Sequence, residues 1–128
     1  MLHDPARHEP LTATPWSEAA ACHAIQVIVD DVCACFDSDT LWPTHPRERE
    51  EGRDPIPQPM LYNGASGVVW ALQRLRDQGE ARVDLDLAPI IAGLHAHSRH
   101  WITTNESEWP SYFLGHSGVL LLQWRQSR

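Results

Sequence analysis

His95, His97 and His100 are the densest group of chemistry-bearing side chains in this 128-residue sequence. On a helix, positions 97 and 100 share a face, so two imidazoles could meet a metal ion while 95 points elsewhere. A structural zinc takes four ligands and a catalytic zinc three. No carboxylate stands at helical spacing to complete either set, and only a cysteine from the first helix could approach. The trio therefore reads as a partly exposed polar face, and no metal ligand is assigned.

The other reactive groups are equally sparse. Cys22, Cys33 and Cys35 form an odd set in or near one helix, which is not a disulfide framework. Cys33-Ala34-Cys35 separates its thiols by one residue, whereas a redox dithiol motif uses two. Small buried thiols in a reducing cytoplasm are expected. Gly115-His116-Ser117-Gly118-Val119 shares an outline with the Gly-x-Ser-x-Gly nucleophile elbow. Valine replaces the last glycine, Pro110 interrupts the strand that should precede it, and no acid or histidine follows Ser117. No catalytic residue and no cofactor-binding residue follows from these patterns.

What the sequence does repeat is a turn. Leu61-Tyr62-Asn63-Gly64-Ala65-Ser66-Gly67-Val68 and Tyr112-Phe113-Leu114-Gly115-His116-Ser117-Gly118-Val119 lie 51 residues apart, each with aromatic residues upstream of Gly-x-Ser-Gly-Val and an apolar run after it. A recurring unit of this kind buries its apolar face against its neighbour. Gly64, Gly67, Gly115 and Gly118 permit positive φ or close backbone approach where a loop becomes a helix. Ser66 and Ser117 can cap the helices they precede. A glycine-rich helix start can also hold an anion, but two equivalent copies favour a building rule over a single site.

Four helices are needed to carry these features. Residues 1–13 read as a flexible leader, and 14–128 as one domain. Thr14 as cap and Pro15 in the first turn open a helix of about 20 residues, with Ala21, Ile25, Ile28 and Val32 on its inner stripe. Residues 37–59 hold five of the ten prolines and the run Arg47-Glu48-Arg49-Glu50-Glu51, which marks an extended, solvated connection that Trp42-Pro43 could anchor. A second helix starts near Ser66, shows Val68, Leu72 and Leu75 on one stripe with Trp70 and Ala71 beside it, and stops at Gly79. A third runs from about Asp86 to His100 with Leu87, Ile90, Ile91 and Leu94 inward. Residues 103–107 form a polar loop, and the fourth helix opens at the second glycine turn.

Composition narrows the partners. A net charge of −7 leaves little basic surface for nucleic acid. The basic residues are all arginine. The N-terminus has no apolar signal core, and no segment approaches the ~20 apolar residues of a membrane span, so a cytoplasmic protein without membrane insertion is expected.

The two turns, through Leu61, Tyr62, Gly64, Gly67 and Val68 and then Ser111 to Gly115, Gly118 and Val119, resemble the early repeats of the lanthionine synthetase C-like (cyclase) family. The resemblance spans residues 15–128, and its specificity lies in the turns. It implies an all-α fold in which helical hairpins form the first part of an α/α toroid. It also implies zinc-dependent thioether formation on a peptide substrate, with the metal held by two cysteines and a histidine of later repeats. Cys22, Cys33 and Cys35 lie in the first helix and inherit no such role. The chain is thus expected to be a truncated or N-terminal portion, inactive alone and without a cofactor of its own. The alternative is a non-catalytic helical binding module that self-associates through its apolar inner helices. A small metal-binding protein built on the histidines ranks below both.

Overall fold

The computed structural model describes residues 15–43, 57–105 and 110–128. They form four helices, α1 (Glu18–Ala34), α2 (Ala65–Asp77), α3 (Leu87–Asn105) and α4 (His116–Gln126), and the fold is all-α. The 1–13 leader, Thr14, the charge run at 47–51 and the Glu106-Ser107 end of the expected loop lie outside the described residues.

Helix α1 begins later than its sequence suggests. Ser17, not Thr14, is the N-cap, and its hydroxyl accepts the Ala20 N–H at 3.3 Å. Glu18 in the first turn complements the positive end of the helix. The inner stripe is Ile25, Val29, Val32 and Cys33 rather than one through Ile28: Val29 is 2% exposed and Ile28 62%. Both positions lie three or four residues from Ile25 and Val32, so periodicity cannot separate them. The choice depends on where α1 meets its neighbours. Gln26 sets that docking by donating to the Arg82 carbonyl and accepting the Arg82 N–H, both at 2.9 Å.

The first part of the 37–59 connection is a folded turn rather than an extended strap. The Asp37 carboxylate accepts from the Asp39 and Thr40 N–H groups and from the Thr40 hydroxyl. Asp37 and Leu41 then exchange backbone hydrogen bonds at 3.0 and 2.8 Å. Leu41 adopts φ 61°, a left-handed conformation uncommon for leucine, and its side chain is buried. The Trp42 indole donates to the Val32 carbonyl at 2.8 Å and its ring lies 5.0 Å from that of Phe36. Trp42 is thus the expected anchor, and it fastens the turn to the end of α1.

Helices α2 and α3 follow their sequence signals more closely. Gly79, at φ 72°, ends α2 as expected. Ala65, Val69 and Leu72 supply its buried face, with Val68 and Leu75 half-buried at the margin. The Asp86 side chain accepts the Ala88 N–H at the start of α3, and Leu87, Ile90, Ile91 and Leu94 are all buried. Helix α3 runs on through the expected loop to Asn105. Thr103 and Thr104 return their hydroxyls to the Arg99 and His100 carbonyls, which places both inside the helix. The core gathers these residues with Val119 and Leu122 of α4.

Candidate functional site

The two glycine turns meet. Tyr62 donates its N–H to the Phe113 carbonyl at 3.0 Å, and the Leu61 Cβ lies 3.0 Å from where a Cβ on Gly118 would stand. The glycines provide close approach, not positive φ. A Cβ at Gly64 would overlap the Gln58 carbonyl, one at Gly67 the Leu61 carbonyl, and one at Gly118 would fall 2.5 Å from the Tyr112 carbonyl. Gly64 and Gly115 are the N-caps, in extended conformation at φ −142° and −120°.

The serines do not cap. Ser66 sits on the second helical residue of α2, fully buried, and its hydroxyl donates back to the Pro59 carbonyl. Ser117 occupies the equivalent place in α4 and is exposed. The repeat is therefore exact in backbone register but unequal in burial. Anion binding at the first turn is also excluded, because the N–H groups that would point at the anion are taken. Ala65 donates to Gln58, Ser66 to Pro59, and Gly67 and Val68 to Gly64.

Beside this joint lies a groove of about 720 Å³ lined by Trp42, Tyr62, Gly67, Trp70, Tyr112 and Phe113. Tyr62 is 77% exposed and Phe113 56%, although aromatic rings bury more surface than any other side chain when covered. Among the described residues that line the groove, none is acidic or basic. The groove presents an apolar and aromatic surface.

The histidines are arranged differently from the helical-face expectation. His95, not His97 or His100, finds a second imidazole: its ring lies edge-on to His116, centroids 4.8 Å apart. His116 Nδ1 in turn lies 2.7 Å from the hydroxyl of Ser98. This serine–histidine contact has the distance of a nucleophile and base. Ser98, however, is 4% exposed, and the adjoining cavity of about 10 Å³ holds at most one water. No substrate fits against it. The pair was illegible beforehand because its members are 18 residues apart on different helices. His97 instead faces a separate apolar pocket with Asp86, and His100 is exposed.

The cysteines are free, Cys22 and Cys33 in α1 and Cys35 at its C-cap; Cys33 is half-buried while Cys22 and Cys35 are exposed, so they are not the small buried thiols expected. Burial pushes the Cys33 thiol above its usual range, against a backbone hydrogen bond from Asp84 that acts the other way. Cys22-His23 is the chain's one adjacent cysteine–histidine pair, and both residues are exposed. Among the described residues no three His, Cys, Asp or Glu side chains converge to hold a metal ion. No described helix is long and apolar enough to cross a membrane.

Comparison of the chain with protein-family models, with curated proteins and with solved structures gave no match.

Proposed function

We propose that this chain is the opening part of a lanthionine synthetase C-like protein, whose helices begin an α/α toroid. The observation that carries the reading is the joint between the turns. Two loops of one sequence pattern, each opening an apolar helix, are hydrogen-bonded to each other through register-equivalent residues, Tyr62 and Phe113. A closed ring of hairpins is one way to continue such a joint. In that reading the aromatic groove faces the peptide substrate, and the chain contributes scaffold and binding surface.

The family's zinc chemistry does not fit the residues present. Cys22 and Cys33 lie in α1 and Cys35 at its C-cap, two of the three are exposed, and no described histidine stands with two of them in a ligand set. Thiol activation by the metal therefore belongs, in this proposal, to residues outside this chain. The test is to sequence the gene through and past the codon for Arg128. A frame leading into further glycine-turn hairpins with cysteine and cysteine–histidine ligands supports the reading. Unrelated sequence in all frames overturns it.

A further inference from the structure

We propose that the trough between the Asp37–Leu41 turn and α3 binds a long-chain alkylamine, its ammonium head at Asp86 and its chain over Gly93. Gly93 is a glycine the fold does not need. Gly64, Gly67 and Gly118 make room for a neighbouring carbonyl and Gly79 takes a positive φ, but a Cβ on Gly93 would meet nothing within 4 Å. A glycine inside an α-helix weakens it relative to alanine, and nothing in the packing of α3 offsets that loss. What Gly93 borders is a cavity of about 350 Å³, walled by Phe36, Leu41, Leu85 and Ile90. The space a side chain would take at position 93 therefore belongs to that cavity. Leu41, which the turn contributes to the same wall, is held at φ 61°. Two residues of one cavity thus depart from what the local backbone would choose, as residues around a binding site do.

Shape and charge select the ligand. Asp86, Ile90, Gly93 and His97 all line the cavity, and steps of four, three and four residues keep them on one face of α3. At the helical rise of ~1.5 Å per residue this lining runs roughly 16 Å. A cavity that long with a volume of about 350 Å³ is narrow. It suits one extended chain better than a fused ring or a folded peptide. Its middle is apolar, and methylenes placed there gain by leaving water. One end is acidic. The exposed Asp86 uses one carboxylate oxygen to accept the Ala88 N–H at 3.1 Å, and its second oxygen is open to a ligand ammonium. Among the described residues that line the cavity none is arginine, and the chain carries a net charge of −7. An ammonium head is therefore attracted to that end and a carboxylate head repelled. His97, at the far end, is where a carboxylate would bind if the ligand were a fatty acid instead.

This inference does not rest on the family reading, which gene sequencing decides separately. The experiment is isothermal titration calorimetry of the full chain with decylammonium, kept below its micelle-forming concentration, and with decanoate as the comparison. The wild type should bind one decylammonium with a Kd below about 1 mM. Decanoate should bind at least about tenfold more weakly, because its head meets the carboxylate end. Asp86→Asn keeps the oxygen that caps α3 and should weaken the amine about fivefold. Gly93→Leu fills the trough and should weaken the amine at least about tenfold. The same variant should melt at a higher temperature than wild type by circular dichroism, since leucine is the better helix former and its Cβ meets no neighbour. Gly93→Ala should show both changes on a smaller scale, which separates loss of binding from loss of fold. A wild type that does not bind, decanoate bound as tightly as decylammonium, an affinity unmoved by Asp86→Asn, or full affinity in both glycine variants would each overturn the proposal.

Discussion

Tyr62 and Phe113 occupy the same place in two copies of one turn, and the N–H of the first bonds the carbonyl of the second at 3.0 Å. Equivalent residues bonded to each other mean that the repeat is built by one copy docking on the next. The glycines that follow let each turn fold tightly on its own preceding loop, and Gly118 also leaves room for Leu61 of the other copy. Their roles divide sharply, and the division can be measured.

Gly67→Ala and Gly118→Ala should each cost roughly 3 kcal/mol or more, because the new methyl would overlap a backbone carbonyl that cannot turn aside. Gly93→Ala, in the middle of α3 with open space around it, should instead stabilise by about 0.5–1 kcal/mol. Urea midpoints of the three variants give the comparison. Equal effects would mean that helix propensity rather than the turn geometry sets the cost.

The paired serines should behave as unlike residues. Ser66→Ala removes a buried hydroxyl from the Pro59 carbonyl and should cost about 1 kcal/mol. Ser117→Ala should stay within ~0.5 kcal/mol, as usual for an exposed site. If both served as helix caps, the two losses would match.

The rotation of α1 makes a third test. Val29→Ala should cost about 2 kcal/mol by lost burial and cavity formation, and Ile28→Ala about 0.5 kcal/mol or less. Thermal unfolding of the pair reports which residue faces the core. The reverse order would restore the stripe through Ile28.

Two titrations should be visible. Because burial raises the Cys33 pKa in the folded chain, the unfolded chain loses this proton first, and stability should decline as pH rises from about the ordinary value of 9.0. At pH 8, Cys33 should react with a thiol reagent more slowly than the exposed Cys22 and Cys35, by mass spectrometry of labelled peptides. Asp37 works in the opposite direction. Hydrogen bonds from Thr40 and Asp39 hold its carboxyl below 3.8, so its contribution is present above that pH and fades as pH falls further. Asp37→Asn should make the turn's response to acid disappear, with the Asp37 neighbours' amide exchange as readout.

Several features of the fold were legible in the sequence for identifiable reasons. Leu87, Ile90, Ile91 and Leu94 are apolar on one face only, so α3 had a single way to sit. Gly79 follows an arginine-rich helix end and takes the left-handed conformation that such a stop needs. The misses have equally local causes. Thr103 and Thr104 suggest a polar loop, yet their hydroxyls bond carbonyls one turn back and extend α3. Proline-rich composition hid the Asp37–Leu41 turn, because the carboxylate supplies an acceptor that composition does not reveal.

The candidate site was half readable. The glycine turns were found as a pattern, but their use was not. Ser66 was read as a cap and proved to be a buried donor, while Gly64 took the cap position. The aromatic groove was missed altogether, since Trp42, Trp70 and Phe113 are far apart in the chain and none has an apolar periodicity that points to a common wall.

By itself the sequence determined that this chain is helical, that it repeats a glycine turn with a 51-residue period, and which apolar faces need cover. These are local properties: backbone sterics at glycine, capping chemistry and the period of burial. Tertiary structure alone decided that Val29 rather than Ile28 turns inward, that His95 and Ser98 meet at His116, and that Tyr62 reaches Phe113. Each of those depends on how helices distant in sequence dock. Docking also decides that Val69 is buried in the shared core while its counterpart Leu120 is 46% exposed.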